Sequence, residues 1–362
     1  MFFKEDFAKK LKEKRKEKGL SQKELAEKLL YSEKTVSKWE CGTALPPLSV
    51  FAELCRVLGV ESKDLLFANT ENYYLGIDGG GTKTAFVLCD SQGNVVKTYL
   101  ASGCNPVDIG YENMRAVLNE GITAVCSKIP YSAIRVFAGV AGAGLQKNRE
   151  ALEEAIRSYG FAAYAVGSDN ENLISAALGD EDGITVIMGT GFCLYRVIDG
   201  QRFCMGGYGQ LFDEGGSAVH FGQHAWAAAF AHMDGNGAPT VLTELLQEKM
   251  GLRGRDCVPK LYAEGKRFIG SFAPLVFQAA AAGDKVAEEI ICKNISAVAK
   301  RIEFAGRAFE NKPVKVVLAG GLTKAEGILD RICGELTHPE DFEISILQTE
   351  VVSGAVRLAR KL

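Results

Sequence analysis

The chain has 362 residues, enough for two or three domains, and its 47% hydrophobic and 24% charged residues are usual for a soluble globular protein. The net charge of −3 is uneven, because residues 1–67 carry 14 Lys and Arg against 11 Asp and Glu, a basic excess compatible with nucleic-acid binding. The sequence has no signal-peptide pattern, no apolar run of about 18 residues and no CxxC pair among its ten cysteines, so we expect a cytoplasmic protein without a membrane partner, disulfide framework or zinc framework.

Residues 1–67 show helical periodicity throughout and are predicted to form one all-α module. Ser21 and Glu24 have the capping-box spacing that begins a helix. Ser32 is the expected N-cap of a second short helix, Glu33–Glu40, and a third helix is expected over Leu48–Leu58. Two short helices joined by a tight turn can place the second one in the DNA major groove. A compact helical docking domain is the alternative.

The segments Leu20–Leu29 and Ser32–Gly42 resemble the Cro/C1-type (XRE) helix-turn-helix family. The resemblance implies DNA binding as a homodimer, with Lys34 and Lys38 able to read guanine and Glu33 able to accept from cytosine. The alternative for each of these residues is a solvated surface charge. Leu30 departs from the family, which usually has Gly there, and a left-handed Leu is mildly strained. The implied DNA-binding residues are Gln22, Ser32, Glu33, Lys34 and Lys38.

After a short polar junction at residues 68–72, patterns typical of strands and helices alternate. The order strand, glycine loop, strand, turn, strand occurs at residues 73–100 and again at 183–205. This repeat predicts two similar α/β domains, residues 73–182 and 183–362, each with a phosphate-facing loop. A nucleotide site is expected in the cleft between them.

The first glycine loop follows a strand that ends in Asp78. Its glycines let backbone N–H groups approach a phosphate closely, because no Cβ intervenes. The Asp78 carboxylate can hold a hydrated Mg²⁺ beside that phosphate. This is a hairpin loop, unlike the strand-to-helix loops of GxxxxGK[ST] and GxGxxG. The predicted phosphate-binding residues of this loop are Gly79, Gly80, Gly81, Thr82, Lys83 and Thr84.

The doubled pattern resembles the actin-like, sugar kinase and Hsp70 ATPase superfamily. Residues 73–362 look like the BadF/BadG/BcrA/BcrD ATPase family, which includes eukaryotic-type N-acetylglucosamine kinase. This resemblance implies two ribonuclease-H-like domains around a central cleft that binds ATP and Mg²⁺. It makes Gly189, Thr190 and Gly191 the second phosphate loop, and it makes Gly320 and Gly321 part of the adenosine motif.

The resemblance also implies the catalytic and sugar-binding residues. Asp169 takes the position of the general base, although it could instead only cap the following helix. Either Asp213 or Glu214 is the carboxylate that contacts the sugar, in a segment that departs from the family pattern. Tyr208 stands where the family has Trp. The implied sugar-binding residues are Asn105, Asp169, Gly207, Tyr208, Asp213 and Glu214.

His220 and His224 are spaced i, i+4 but lack the HExxH pattern and a third ligand, so we interpret them as part of a helix face rather than a metal site.

These features favour an ATP-dependent kinase that phosphorylates a hydroxyl of an amino sugar such as N-acetylglucosamine, fused to a DNA-binding module. A second hypothesis is a transcription regulator whose kinase-like domains sense sugar or nucleotide without turnover. A third is a dehydratase-activase-type ATPase, which ranks last because this chain has Gly-Gly-Thr-Lys-Thr in its first loop and no alignable pair of cluster cysteines.

Overall fold

The computed structural model describes residues 2–62, 65, 72–127 and 129–362. The predicted junction, residues 68–72, lies outside the described residues except for Asn72. None of the helices described is both long enough and apolar enough to cross a membrane.

The N-terminal module is all-α, as predicted. Its helices are α1 Phe2–Glu17, α2 Gln22–Leu29, α3 Glu33–Glu40 and α4 Leu48–Leu58. Their apolar faces enclose a small core that contains Leu25, Trp39 and Leu54. The predicted capping box of α2 is confirmed, because the Glu24 amide donates to the Ser21 hydroxyl at 3.1 Å and the Ser21 amide donates to the Glu24 carboxylate at 2.7 Å.

A buried ion pair that was not predicted joins α1 to α3. Arg15 donates from Nε and Nη2 to the two carboxylate oxygens of Glu40 at 2.6 and 3.0 Å. Gln22, at the start of α2, donates from Nε2 to the same carboxylate at 2.8 Å. The Glu40 carboxylate therefore ties three helices together, and the Gln22 amide nitrogen is engaged within the module rather than free for DNA.

Leu30 ends α2 in the left-handed conformation, with φ 59° and ψ 37°. Its side chain is 93% exposed. The left-handed backbone destabilises a residue with a Cβ by about 1–2 kcal/mol. We expect Leu30→Gly to stabilise the module by about 0.5–1 kcal/mol, because relief of this strain exceeds the extra chain entropy of Gly. Trp39 fluorescence during urea unfolding, in a Trp226→Phe background, measures this change. Equal or lower stability of the variant would contradict it.

Residues 72–362 form two α/β lobes. The strands are β1 Tyr73–Gly79, β2 Lys83–Cys89, β3 Val95–Ser102, β4 Ile134–Val140, β5 Ala163–Gly167, β6 Gly183–Met188, β7 Phe192–Ile198, β8 Gln201–Gly206, β9 Val314–Ala319 and β10 Phe342–Ile346. The helices are α5 Pro106–Cys126, α6 Gln146–Arg157, α7 Asp169–Leu178, α8 Ala218–Met233, α9 Leu242–Met250, α10 Cys257–Gly270, α11 Ala273–Ala281, α12 Lys285–Gly306, α13 Ile328–Glu335 and α14 Val352–Arg360.

The predicted repeat is confirmed by the topology of the two sheets. The first sheet has the order β3-β2-β1-β4-β5, and the second has the order β10-β9-β6-β7-β8. In each sheet three antiparallel strands are followed by two parallel strands. One of these pairs with the first antiparallel strand, and the other pairs with its parallel neighbour. Each glycine loop joins the first two strands of its sheet, so the two loops occupy equivalent positions.

The C-terminal helix α14 follows the second lobe in sequence but packs on the first sheet. A Cβ at Gly76 of β1 would lie 2.6 Å from the Val356 backbone nitrogen. A Cβ at Gly354 would lie 1.9 Å from the Asn172 carbonyl oxygen, so α14 also touches α7 closely. Ala355 and Ala359 pack against Phe137 of β4. The chain therefore closes back onto the lobe where the α/β body began.

Candidate active site

Asp78 lies in β1 beside Gly139 of β4, and a buried amide from α7 holds it in place. Asn172, which is fully buried, donates from Nδ2 to Asp78 Oδ1 at 2.8 Å and lies 3.1 Å from the Gly139 carbonyl oxygen. A Cβ at Gly139 would lie 2.3 Å from Asn172 Oδ1, so only Gly leaves room for this amide. Sequence reasoning missed Asn172. The available signal was a polar residue on the buried face of a predicted helix.

Burial raises the pKa of Asp78 to about 6, the negative charge of Asp169 adds to the rise, and the hydrogen bond from Asn172 and the charge of Lys83 oppose it. Burial also raises the pKa of Asp169, against the effect of hydrogen bonds from backbone amides, including that of Asn170 at 3.1 Å. Two half-buried carboxylates that interact electrostatically form a site where a cation or a proton is favoured.

Asp169 is the first residue of α7, and the N-cap is Ser168, whose amide donates to Glu171 Oε1 at 3.2 Å. The alternative that Asp169 itself caps the helix is therefore wrong. Its neighbour Asn170 donates to the Tyr195 hydroxyl of β7 at 3.0 Å, so this end of α7 lies where the two lobes meet.

Two cysteines lie near the predicted carboxylates. Burial raises the pKa of the Cys104 thiol to about 11, and the charges of Asp78 and Asp169 add to the rise. Burial likewise raises the pKa of the Cys193 thiol to about 12, with contributions from Cys204, Asp169 and Asp213. The Cys104 thiol thus interacts electrostatically with Asp78, the predicted metal-binding carboxylate, and with Asp169. The Cys193 thiol interacts in the same way with Asp213, the buried carboxylate of the predicted sugar loop, and with Asp169.

The first glycine loop packs against the segment that leads to Asn105. The Gly80 amide donates to the Lys83 carbonyl oxygen at 2.9 Å, and the Cys104 amide donates to the Gly80 carbonyl oxygen at 3.0 Å. A Cβ at Gly79 would lie 2.3 Å from Cys104 Sγ. Thr84 is fully buried and its hydroxyl donates to the Ser102 carbonyl oxygen at 2.7 Å, so this predicted phosphate ligand presents no hydroxyl to the loop surface.

The second glycine loop and the predicted adenosine motif also meet. A Cβ at Gly320, which has φ 106°, would lie 2.5 Å from the Met188 carbonyl oxygen and 3.0 Å from the Gly189 nitrogen. By contrast, a Cβ at Gly191 or Gly321 would meet no atom within 4 Å. Exposed glycine backbone at Gly191, Gly320 and Gly321, together with the half-buried Asp78 carboxylate, fits a nucleotide triphosphate with its divalent cation.

The two candidate carboxylates of the sugar loop differ sharply in their surroundings. Asp213 is 7% exposed, and its Oδ2 accepts from the Gly209 amide at 3.0 Å. Its Oδ1 is buried without a hydrogen-bond partner, 3.8 Å from Arg301 Nη2. Glu214 is exposed. Gly207 lies near Cys193, because a Cβ there would be 3.3 Å from the Cys193 Cβ, whereas Tyr208 is 74% exposed.

The two histidines of α8 are engaged with protein groups. His220 Nδ1 lies 2.6 Å from the Ser217 hydroxyl, and burial lowers its pKa. Asn294 Nδ2 donates to His224 Nδ1 at 3.0 Å, and burial lowers the pKa of His224 to about 4. Over the part of the chain that the structure describes, no cluster of three metal-ligating side chains occurs. Both rings are neutral members of the packed helix.

Of the predicted DNA-binding residues, Ser32 lies at the start of α3, Glu33, Lys34 and Lys38 lie within α3, and Gln22 lies at the start of α2. Glu33, Lys34 and Lys38 of α3 are exposed, whereas Val36 and Trp39 point into the core. Ser32 is the N-cap of α3, and its hydroxyl accepts from the Thr35 amide at 3.2 Å. The structure therefore places Glu33, Lys34 and Lys38 together on the solvent side and assigns Ser32 and Gln22 contacts within the module.

The fold and this arrangement define a two-lobed, actin-like ATPase that carries a helix-turn-helix module. Residues 75–359 match the model of the BadF/BadG/BcrA/BcrD ATPase family, and the chain belongs to that family. Residues 11–65 match a helix-turn-helix family model.

Several known proteins are similar to this chain. The N-acetylmuramic acid/N-acetylglucosamine kinase of Clostridium acetobutylicum is 28% identical over 306 residues, covering 80% of this chain and 98% of the relative. A proposed N-acetylglucosamine kinase from Chromobacterium violaceum, of known structure, shares the fold with a TM-score of 0.66 at 22% identity, over 80% of this chain and 99% of its own. A transcriptional regulator of the ROK family shares the fold over 99% of this chain and 96% of its own, with a TM-score of 0.54 at 13% identity.

Proposed function

We propose that the protein is an ATP-dependent kinase that phosphorylates a hydroxyl of an amino sugar of the N-acetylglucosamine or glucosamine type. The observation that carries this proposal is the position of Asp169 at the start of α7, a helix that contacts Asp78 of the first lobe through Asn172 and Tyr195 of the second lobe through Asn170. Phosphoryl transfer to a hydroxyl uses a carboxylate that holds the metal ion and a carboxylate that orients the attacking hydroxyl. The name of the Clostridium relative, which is similar over most of the α/β body, supports an amino sugar as the acceptor.

In this proposal ATP supplies the phosphoryl group, and Mg²⁺ neutralises charge on its phosphates. Backbone amides of Gly81 and Gly191 hold the phosphates, and Gly320 and Gly321 admit the adenosine. Asp78 holds the hydrated Mg²⁺, and Asn172 keeps that carboxylate oriented. Because the Asn172 side chain is fully buried, the orientation of Asp78 is set before any ligand arrives.

Asp169 orients the acceptor hydroxyl and accepts its proton. The transition state of phosphoryl transfer is loose, so the proton leaves late and positioning dominates. Burial favours the protonated form of Asp169, which makes its carboxylate a stronger base than an exposed Asp. Its place at the start of α7, where the helix meets the second lobe, fixes its backbone.

Asp213, rather than Glu214, is the proposed acceptor contact, because its Oδ1 makes no hydrogen bond within the protein and has only the Arg301 guanidinium near it, at 3.8 Å. We expect Asp213→Asn to raise the KM for the sugar by about 10-fold or more, since a hydrogen bond to a charged group contributes about 1.5–3 kcal/mol. Glu214→Gln is the matched control and should leave this KM unchanged. Steady-state kinetics with varied sugar measures both, and a larger effect of Glu214→Gln would reverse the assignment.

The direct test is ADP release with a panel of hexoses and amino sugars. Stimulation by an amino sugar, with formation of the sugar phosphate, supports the kinase. Tight sugar binding without turnover supports the alternative, a regulator whose kinase-like lobes only sense the sugar. The retained Asp78 and Asp169 favour turnover, since a sensor needs no base.

We further propose that the N-terminal module binds DNA as a homodimer and links the sugar to transcription. We expect Lys34→Ala with Lys38→Ala to weaken binding to the cognate site by about 10-fold or more and to reduce the slope of log K against log salt by about 1–2. Lys23→Ala with Lys28→Ala, on exposed positions of α2, is the control. Fluorescence anisotropy with DNA selected from random sequence measures both, and equal loss in the control pair would contradict groove reading by α3.

A further inference from the structure

One ion pair bridges the two lobes directly over the first glycine loop. Arg267 of α10, in the second lobe, donates from Nη2 to Asp108 Oδ2 of α5, in the first lobe, at 3.0 Å. A Cβ at Gly81 would lie 2.0 Å from Arg267 Nη2 and 3.0 Å from Asp108 Oδ2. The pair therefore rests on the backbone of a loop that we propose holds phosphate.

The same carboxylate oxygen also holds the proposed acceptor residue. Asn105 donates from Nδ2 to Asp108 Oδ2 at 2.9 Å, and its Oδ1 accepts from the Val107 amide at 3.1 Å. Both ends of the Asn105 amide are thus fixed, one of them through an oxygen that Arg267 shares. A movement of Arg267 relative to Asp108 changes the surroundings of Asn105 and Gly81 together.

Each partner of the pair stands two residues from a glycine that interrupts its helix. Gly110 of α5 has φ 79° and ψ 167°, and Gly265 of α10 has φ 72° and ψ −164°. A Cβ at either glycine would meet no atom within 4 Å, so conformation rather than space requires Gly there. The turn that bears Asp108 and the turn that bears Arg267 are therefore separate from the bodies of their helices, as expected at hinges.

We propose that Arg267 and Asp108 form a latch between the lobes, in which Arg267 is a positioning residue for the acceptor. The latch forms when the lobes close, and it then holds Asn105 and the Gly81 backbone at fixed positions relative to each other. An exposed ion pair contributes little to global stability, so its effect lies in the equilibrium between open and closed lobes. The positioning role rests on the proposed kinase function, whereas the contact between the lobes does not.

The test compares the full-length protein with Arg267→Gln, using Lys266→Gln as the matched control on the adjacent exposed cation. Amide hydrogen exchange of residues 79–84 and 103–110 is measured first without ligand. We expect Arg267→Gln to exchange about two- to five-fold faster than wild type in these segments, the population change that an exposed ion pair supports. Lys266→Gln should match wild type. Equal exchange in wild type and Arg267→Gln overturns the latch.

The second arm adds N-acetylglucosamine and a non-hydrolysable ATP analogue, and then measures turnover with ATP. Wild type should gain protection in both segments, and Arg267→Gln should gain less. In turnover, Arg267→Gln should raise the KM for the sugar more than the KM for ATP, with partial recovery in Arg267→Lys. Equal changes in both KM values, or no change, overturn the positioning role. A wild type that binds neither ligand refutes the kinase function, while the ligand-free comparison still decides the latch.

Discussion

Replacing Asp169 with Asn should lower kcat for sugar phosphorylation by about 10²–10⁴-fold, the usual contribution of a general base. The KM values for ATP and sugar should change little, because the amide keeps the shape and one acceptor of the carboxylate. The fold should be retained, since Ser168 and Glu171 provide the cap of α7. Coupled measurement of ADP release, together with circular dichroism of the variant, tests this prediction.

A matched control is Asp182→Asn, which makes the same chemical change at an exposed residue just before β6. It should leave kcat unchanged. As the pH is lowered, the kcat/KM of the wild type should begin to fall at a higher pH than it would with an exposed Asp as the base. The reason is that burial raises the pKa of Asp169. Turnover of Asp169→Asn at near wild-type rate would remove Asp169 from the mechanism and favour another base.

The sequence predicted the two-lobed fold because its strongest signals are local. Each lobe begins with a strand, a glycine loop and a hairpin, and these patterns depend on residues close together in the chain. The capping box at Ser21 and the departure at Leu30 are equally local, and the structure shows both. The alternative that Asp169 caps α7 places the cap one residue too late, because helix propensity does not reveal that Ser168 is the cap.

The parts that escaped prediction depend on residues distant in sequence. Asn172 meets Asp78 across 94 residues, and Arg267 meets Asp108 across 159 residues. The Arg15–Glu40 pair likewise joins two helices that are separate in the chain. A single sequence contains no covariation that could connect such pairs. The choice between Asp213 and Glu214 was open for the same reason, since burial of one of two adjacent carboxylates is a tertiary property.

Replacing Asp78 with Asn should have two opposite effects, a more stable protein and a much less active one. Burial raises the pKa of this carboxyl from 3.8 to about 6, so at neutral pH the folded protein carries a charge that its surroundings disfavour. Asn removes that charge and can still accept the hydrogen bond from Asn172. We expect stabilisation of about 2 kcal/mol at pH 7.5 without Mg²⁺, slightly less than the shift implies because the group is only partly enclosed. The kcat/KM for MgATP should fall by about 10²-fold or more.

The pH dependence gives this prediction its sharpest test. A carboxyl whose pKa is higher in the folded state stabilises the fold fully below the unfolded value, and that contribution disappears as pH rises through the folded value. The stability advantage of Asp78→Asn should therefore be small at about pH 3.5 and grow to nearly its full size as the pH rises from about 4 to about 6.5. Calorimetry in EDTA at several pH values measures it, and the full difference corresponds to about 4 °C in Tm. Asp182→Asn should show no such pH-dependent gain. A variant that is less stable at every pH would mean that the Asp78 carboxylate supports the fold, whereas a stabilised and inactive variant identifies it as a group whose unfavourable burial serves cation binding.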